Sequence, residues 1–498
     1  MREPIDSFVR SIVVLLFLTM SISRSYGQES DVSRLISALL GKTPLDQDLQ
    51  SLTDEIGGRA TGSEANLRAV EWGLQRFKEA GVNAQKEAFT MPMLWLEQFS
   101  TADIMGDVNF SPRVVAMPFS AATPPVGVTA PLIFGGSGTE KDFQDLGSNV
   151  KGSFLLIETH ELLDLDGLFK EYYDASAIEQ RAFAAGVTGI VYMSSRPHDL
   201  LYRHNVSVGK DNTRPMLIME REEAMRAMRL LQKGKRLTLT AKVTLRTGGP
   251  YESHNVIAEI RGAEKPDEFV LIGAHLDSWD LGTGANDNGC NIALVLDIAR
   301  QMQRLGLKPK RTIRFALFNG EEQGMYGSFG YTVTHADELD RHVMASSYDI
   351  GSGRINGFFT NGRAELLPAV DNALMPVEGL GPFVNINEPI VGTDNYDFMM
   401  QGVANLVANQ ESANYGPNYH ARSDTYDKVD IRQVKLNAAI AAAVTLAFAN
   451  MDVTWVRQNR AQVEQLVNTT NLLDQMGAFG VAGSSLRQSW EDRTRGRK

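Results

Sequence analysis

The strongest constraint on the fold is a regular alternation of apolar, strand-length runs with helical patterns in the second half of the chain. This alternation begins after the Gly248-Gly249-Pro250 turn. Strands that alternate with helices form α/β sheets with helices packed on both faces. We therefore expect the α/β fold class, with a mixed, mostly parallel sheet. The predicted elements are strand 255–260, strand 269–274, helix 289–305, strand 312–318, helix 324–335, strand 343–349, strand 405–409 and helix Ile431–Met451.

Two helices and a strand are predicted near the N-terminus, before the pattern changes. Leu35–Leu52 and Ala65–Ala80 have helical periodicity, and Gly81 is a typical helix stop ahead of a strand at Val82–Met91. From about residue 100 to 247 the sequence instead shows short strands separated by turns. The simplest architecture is one sheet built from both ends of the chain and interrupted by a β-rich insertion.

These patterns divide the chain after its first 27 residues. Residues 28–100 and 250–455 are expected to form one α/β domain, and residues 101–249 an inserted β-rich domain. Residues 456–498 form a polar C-terminal tail, which either docks as a helix or stays mobile.

The N-terminus has the pattern of a secretory signal. Arg2 and Arg10 flank a short apolar run, and the small residues Ser25 and Gly27 fit a signal-peptidase site, which predicts a signal peptide at 1–27. The alternative is a membrane anchor, but the run is short for a span of about 20 residues. No later segment is expected to be long and apolar enough to span a bilayer. We expect export to the periplasm of a Gram-negative host or secretion from another host, with no membrane association of the mature form.

Composition excludes several classes of function. The chain has 498 residues, 43% of them hydrophobic and 22% charged, which is ordinary for a globular protein with a large core. Its 49 basic and 60 acidic residues give a net charge of −11, which argues against nucleic acid as the main partner. A single cysteine, Cys290, excludes an intramolecular disulfide, and its position favours a small buried residue over a redox or ligand role.

Histidine and acidic residues follow several predicted strands. His275 ends one apolar strand, and Asp277 lies two residues later, so that on an extended chain its carboxylate could hold the second imidazole nitrogen. In an open parallel sheet the C-terminal strand ends converge on one crevice, where ligands bind. The other acidic residues and histidines at strand ends or in nearby loops are Asp287, Glu321, Glu322, Asp349 and His420.

Two imidazoles and three carboxylates form a ligand set that suits zinc. If Asp287 bridges, one metal would have His275, Asp287 and Asp349 as ligands, and the other Asp287, Glu322 and His420. The two ions would lie about 3.5–4 Å apart and share a water. The alternative is that these are ordinary loop residues, with Asp287 as a cap of helix 289–305.

The acidic pair that follows strand 312–318 allows a division of roles. If Glu322 faces a metal, Glu321 can point at the shared water. We therefore expect Glu321 to be the general base that takes the proton of this water and passes it to the leaving amine.

Five motifs carry a resemblance to a known family. AHLDSWD, GANDNG, NGEEQG, YDIGSG and YHARSDT, in this order and spacing, resemble the co-catalytic zinc aminopeptidases of clan MH. LDSWD, KPKRTIRFALFNGEEQG and GTDNYDF are more similar to the branch typified by carboxypeptidase Q, also called plasma glutamate carboxypeptidase. The resemblance is strong over 254–430 and holds only in outline across 100–247.

The resemblance implies a site and an architecture. It implies two Zn²⁺ ions per chain, the five ligands and the base given above, an unusual peptide bond between Asp287 and Asn288, and a protease-associated domain as the insertion. Tyr419 occupies the place of a tyrosine that, in some aminopeptidases, donates a hydrogen bond to the tetrahedral oxyanion, although the carboxypeptidase Q branch does not need it. Relatives often dimerise, so a homodimer is allowed.

The expected function is therefore that of an exported di-zinc metallo-exopeptidase. Members of this branch are dipeptidases or aminopeptidases that act on free N-termini, so the expected substrates are dipeptides or short peptides. Two alternatives stay open, namely a general aminopeptidase that acts on longer peptides and a catalytically silent peptide-binding module.

Overall fold

The computed structural model describes residues 30–163, 165–204 and 213–479. Within these ranges the chain forms two seven-stranded sheets, each with its own hydrophobic core. We call residues 94–248 the inserted unit and the described residues on either side of it the main unit. The predicted signal peptide at 1–27 and residues 480–498 of the predicted tail lie outside the described residues.

The main unit begins with three helices and a strand. Gly41 and Pro44 interrupt the helix predicted at Leu35–Leu52, because neither residue favours a helix interior. A π-helical turn at Ser51–Ile56 then continues the second helix. The elements are α1 (Asp31–Leu40), α2 (Leu45–Gln50), α3 (Glu64–Glu79) and β1 (Asn83–Met91).

The inserted unit contains helices as well as strands. The elements are β2 (Leu94–Gly106), β3 (Val114–Ala116), β4 (Val128–Phe134), α4 (Glu140–Leu146), β5 (Phe154–Ile157), α5 (Leu165–Ala185), β6 (Gly189–Met193), β7 (Met216–Met219), α6 (Arg221–Gln232) and β8 (Leu237–Gly248). The sheet has the order β2-β8-β4-β5-β6-β7-β3, with parallel pairing from β4 to β7 and a long antiparallel ribbon of β2 with β8. The boundary predicted at residue 100 lies inside β2, which belongs wholly to this second sheet.

The chain then returns to the first sheet. Every strand and helix predicted after residue 250 is present within a few residues of its predicted bounds. A strand at Ile355–Phe359 and helices at Leu367–Leu374, Asn395–Met400 and Tyr415–Asn418 were not predicted. The elements are β9 (Tyr251–Ile260), β10 (Lys265–His275), α7 (Cys290–Arg304), β11 (Arg311–Phe318), α8 (Tyr326–Thr334), β12 (His342–Ser347), β13 (Ile355–Phe359), α9 (Leu367–Leu374), α10 (Asn395–Met400), β14 (Asn405–Gln410), α11 (Tyr415–Asn418), α12 (Ile431–Asn450), α13 (Arg460–Thr469) and α14 (Leu472–Ala478).

The first sheet is mixed, which confirms the α/β fold class. Its order is β1-β9-β11-β10-β12-β14-β13, with parallel pairing from β11 to β14 and antiparallel pairs at both edges. Alternate side chains of β10 enter different cores, since Val270 and Ile272 pack on one face and Leu271 on the other. Helices therefore cover both faces, as predicted.

The Ala-rich helix α12 lies in the main core. It packs against α1 and α7, and most of its side chains are buried. Contrary to the prediction for the later segments, α12 is long and apolar enough to cross a membrane. However, 67% of its most apolar stretch is buried inside the protein. Small side chains allow this close helix packing, so its apolar composition is explained by the core.

Buried contacts join the two units. Arg203 of the inserted unit is buried, and its guanidinium donates to Asp280 of the main unit, at 2.8 Å, and to Glu97. It also donates to the carbonyl of Ala116 at 2.8 Å. Arg203 therefore links Asp280 of the main unit to Glu97 and Ala116 of the inserted unit.

The described part of the tail docks on the inserted unit as a helix, because α14 contacts α5.

Replacing Arg203 with alanine should lower the free energy of unfolding by about 3–5 kcal/mol, because the carboxylate of Glu97 stays buried without its cation. Denaturant unfolding of the purified protein measures this loss. Lys141→Ala is the matched control, since Lys141 pairs with Asp145 on the surface and its removal should leave the unfolding curve unchanged. Equal stability of the Arg203 variant and the control would contradict this account.

Candidate functional site

The predicted ligands meet at one edge of the first sheet. His275 is the last residue of β10, and Asp349 lies two residues after β12. Glu321 and Glu322 follow β11, the parallel neighbour of β10, after two connecting residues. Because these strands run parallel, their C-terminal ends lie side by side.

Asp287 lies between the two histidines. Its Oδ1 is 3.2 Å from Nε2 of His275, and its Oδ2 is 3.3 Å from Nε2 of His420. On the outer sides, His275 Nε2 is 2.9 Å from Oδ1 of Asp349, and His420 Nε2 is 2.8 Å from Oε2 of Glu322. The structure thus brings the five predicted ligands into two groups of three that share Asp287, with the potential ligand atoms of each group within 4.8 Å of one another.

The loop that carries Asp287 is held through its backbone. The N–H groups of Asn286 and Asp287 donate to the carboxylate of Asp424 at 2.8 and 3.1 Å. The buried guanidinium of Arg59 donates to the carbonyls of Thr283 and Gly284 at 2.8 and 2.9 Å. These contacts orient the loop so that the Asp287 carboxylate faces the two histidines and does not cap the first turn of α7.

The same loop has two unusual backbone features. Gly284 has φ +63°, and a Cβ there would lie 2.4 Å from the side chain of Ser278, so only glycine fits. The peptide bond between Asp287 and Asn288 is cis, at the position where the family resemblance implied an unusual bond.

Asp277 contacts both His275 and the glutamate pair. Nδ1 of His275 lies 3.1 Å from the backbone carbonyl of Asp277 and 3.7 Å from its carboxylate, so the carbonyl is the closer partner. The carboxylate also accepts hydrogen bonds from the N–H groups of Glu321 and Glu322 at 3.2 and 3.3 Å and from the hydroxyl of Thr61 at 2.7 Å. Asp277 therefore fixes the backbone of the glutamate pair.

The inserted unit holds the second histidine. Nδ1 of His420 lies 3.1 Å from the backbone carbonyl of Arg203, and the N–H of Arg203 donates to the carbonyl of His420 at 2.9 Å. A histidine that binds metal through one nitrogen commonly donates its other N–H to such an acceptor. The second cluster is thus held by residues from both units.

The site concentrates buried negative charge. Burial raises the pKa of Glu322 to about 7 and raises the pKa of Glu321 well above its ordinary value. Burial opposes ionisation of Asp287 as well, but hydrogen bonds with the two histidines outweigh it and hold its pKa well below the ordinary value. Burial lowers the pKa of His420, but Glu322 and Asp287 raise it by more, to about 9. The carboxylates therefore favour the protonated form of the two histidines that lie between them.

Asp394 is a buried acid that the sequence reasoning did not select, although it lies within the GTDNYDF motif. Its side chain is 1% exposed, and neither of its oxygens has a hydrogen-bond partner among the described residues. Burial raises its pKa well above the ordinary value against the opposing charge of His275, and Asp349 raises it further. A further buried carboxyl group therefore lies near His275.

Two further predicted residues lie nearby. The ring of Tyr419 stacks on that of His420 with centroids 3.7 Å apart, and its hydroxyl is 2.6 Å from that of Tyr172 in α5. Cys290 is buried in the first turn of α7, and burial raises the pKa of its thiol well above the ordinary value. A buried, protonated thiol agrees with the small buried residue that was favoured for Cys290.

The sequence is similar to those of known peptidases. Residues 255–445 match the sequence model of peptidase family M28. Carboxypeptidase Q of Mus musculus is 26% identical over 411 residues, which cover 80% of this chain and 84% of that protein. The predicted resemblance to carboxypeptidase Q-like peptidases of family M28 is confirmed. The chain is a peptide hydrolase.

Two crystal structures extend this similarity to the fold. The peptidase M28 precursor from Shewanella amazonensis superposes with a TM-score of 0.78 at 28% identity, covering 85% of this chain and 98% of that chain. The zinc aminopeptidase BSAP from Bacillus subtilis has a TM-score of 0.65 at 21% identity, covering 80% of this chain and 93% of that chain. The match with BSAP shows a shared fold.

Zinc uptake by the metal-free protein at pH 8 should release protons. The pKa of His420 is raised to about 9, so at pH 8 its imidazole is mostly protonated, and only the neutral form can bind a metal. Calorimetric titration with zinc in two buffers of different protonation enthalpy measures the release. His420→Gln should reduce it, whereas His254→Gln, a half-buried position on β9, should not. Heats that do not depend on the buffer would contradict the prediction.

Proposed function

We propose that the chain is a di-zinc exopeptidase that hydrolyses the N-terminal peptide bond of dipeptides or short peptides with a free amino terminus. The observation that carries the proposal is the position of Asp287 between two groups of potential ligands. A carboxylate with one oxygen toward each histidine has the arrangement of a bridging ligand.

The donor set fits zinc. Each cluster offers one imidazole nitrogen and two carboxylate groups, and catalytic zinc sites use three protein ligands of this kind with a further position for water or substrate. Oδ2 of the buried Asp287 faces Nε2 of His420 at 3.3 Å and has no other hydrogen-bond partner among the described residues, so this oxygen has capacity for a cation. Bound zinc would polarise the scissile carbonyl and lower the pKa of a water molecule.

Glu321 is suited to move the proton. Its Oε2 lies 4.0 Å from Nε2 of His275, and its side chain keeps 11% exposure. In the proposed reaction the carboxylate takes one proton from the attacking water while the water oxygen bonds to the peptide carbon. It then delivers that proton to the nitrogen as the C–N bond breaks, so that a free amine leaves. Asp277 holds Glu321 in place through its N–H.

The surrounding charge supports a substrate with a free amino terminus. Asp394 is buried near His275 and belongs to neither group of potential ligands. A protonated amine would stabilise its carboxylate, whereas an acylated terminus would not. A peptide with a blocked amino terminus should therefore be a poor substrate.

The remaining parts of the proposal concern location and assembly. The inserted unit would correspond to the protease-associated domain that the resemblance implies. The signal pattern at residues 1–27 supports export to the periplasm or secretion. A peptide is the expected partner, and a homodimer is allowed by the resemblance.

Glu321→Gln should lower kcat at least a hundredfold and leave zinc content and the unfolding curve unchanged, because the amide cannot accept the proton of water. Chromatography of the hydrolysis products measures kcat, metal analysis measures the zinc content, and denaturant unfolding measures stability. Glu71→Gln, on the exposed face of α3, is the control. Equal peptide binding without turnover in both the wild-type protein and Glu321→Gln would favour a silent binding module.

A single dipeptide in free, N-acetylated and C-amidated forms tests the substrate class. We expect hydrolysis of the free form only and its loss when a chelator removes zinc. Hydrolysis of the free and the amidated forms alike would indicate a general aminopeptidase. Hydrolysis of the acetylated form would contradict the requirement for a free amine.

A further inference from the structure

The helix α14 contacts the loop that leads to Asp394. Gln475, on α14, is 7% exposed, and its Oε1 accepts the N–H of Val391 at 2.8 Å. Its Nε2 donates to the carbonyl of Pro389 at 3.3 Å and to Oδ1 of Asn471 at 2.8 Å. One buried amide therefore binds two backbone groups of the segment just ahead of Asp394.

The residue between these two positions is held by other side chains of the main unit. Oδ1 of Asn361 accepts the N–H of Ile390 at 3.0 Å, and Nδ2 of Asn395 donates to the carbonyl of Ile390 at 3.0 Å. Buried backbone groups need such partners, because an unpaired one costs about as much as a lost hydrogen bond. The backbone at 389–391 is thus fixed by side chains, and Gln475 supplies two of these four hydrogen bonds.

The residue just after α14 contacts the same loop. Gly392 has φ +127°, a conformation that favours glycine and that glycine leaves easily. The ring of Phe479 lies against this glycine, since a Cβ at Gly392 would lie 2.9 Å from its Cζ. The same ring packs on Tyr172 of α5, with centroids 4.6 Å apart. Gln475 and Phe479 therefore hold the loop ahead of the glycine and at the glycine itself.

We propose that Gln475 and Phe479 are positioning residues for the amine of the substrate. They hold the loop at 389–392, so that the carboxylate of Asp394 stays directed at the place where the protonated amine binds. This inference rests on the proposed function, in which that carboxylate is stabilised by the amine. It gives α14 and the residue after it a part in substrate recognition.

The position of Asp394 explains why support from the loop matters. Asp394 directly precedes α10, which begins at Asn395, and it follows the segment that Gln475 holds. Its side chain is 1% exposed. A hydrogen bond from an amine to a buried carboxylate weakens steeply when it is bent. Because none of the five proposed metal ligands lies at 389–394, a small shift of this loop should weaken amine binding before it disturbs the metal clusters.

Two inhibitors that differ only in the amine test the inference with the full-length, zinc-loaded protein and a free dipeptide as substrate. Leucine carries the amine, and 4-methylpentanoate has the same carbon skeleton and carboxylate without it. The wild-type protein should bind leucine at least about tenfold more tightly, as expected for a hydrogen bond between charged groups. Gln475→Leu should raise the inhibition constant of leucine and the KM of the dipeptide roughly threefold to tenfold, because that bond is weakened. The inhibition constant of 4-methylpentanoate and kcat should stay unchanged.

A second substitution shows whether Gln475 acts through Asp394. Asp394→Asn should raise the inhibition constant of leucine about tenfold by itself. Adding Gln475→Leu to this variant should raise the constant no further, whereas a purely structural effect of Gln475 would persist. Gln465→Leu is the matched control, because it is the same substitution at an exposed position on α13, and it should keep wild-type constants.

Phe479→Ala disturbs the same loop without unpairing a hydrogen bond of the backbone. Its ring is half-buried, so we expect this variant to fold and to bind zinc as the wild-type protein does. It should raise the inhibition constant of leucine about twofold to fivefold, less than the loss of the Gln475 hydrogen bonds. The inhibition constant of 4-methylpentanoate should again stay unchanged. If Gln475→Leu does not fold, this variant decides the inference.

Three results would overturn the inference. Leucine inhibition could be unchanged in a folded Gln475→Leu or Phe479→Ala variant. Both inhibitors could be weakened by the same factor, which would show general damage to the site. The effect of Gln475→Leu could be the same with and without the Asp394 carboxylate. In each case the proposed function would stand, whereas equal inhibition of the wild-type protein by leucine and 4-methylpentanoate would overturn its requirement for a free amine as well.

Discussion

The whole site depends on one carboxylate placed between two imidazoles. Asp287 can face both histidines only if its loop leaves the sheet edge at a fixed angle and its two oxygens point in different directions. Its side chain is buried, so a misplaced charge there would be costly. The geometry therefore requires rigid support, and the surrounding polar contacts provide it.

That support acts mainly through backbone groups. Asp424 accepts from two N–H groups of the Asp287 loop, Arg59 donates to two of the loop's carbonyls, and Asp277 accepts from the glutamate pair. Backbone contacts leave the side chains of the proposed ligands available to bind metal. The inserted unit supports the site in the same way, since Arg203 contacts His420 through its main chain. The inserted unit is thus part of the candidate site.

The sequence predicted the first sheet well because its strands are buried on both faces and read as continuous apolar runs, as in β11. It also predicted which acids and histidines meet, because parallel strands bring their C-terminal ends together. It did not predict Arg59, Arg203 or Tyr172, since their contacts join positions 217 to 247 residues apart and leave no local pattern. It did not predict that the carboxylate of Asp277 also accepts hydrogen bonds from the backbone of Glu321 and Glu322, which follow a different strand.

The central claim is that Asp287 bridges two zinc ions. A crystal structure of the zinc-loaded protein with anomalous diffraction at the zinc edge tests it most directly. The account predicts two anomalous peaks about 3.5–4 Å apart, one beside His275 and Asp349 and the other beside Glu322 and His420, with Asp287 between them. A single peak, or two peaks that do not share Asp287, would contradict it.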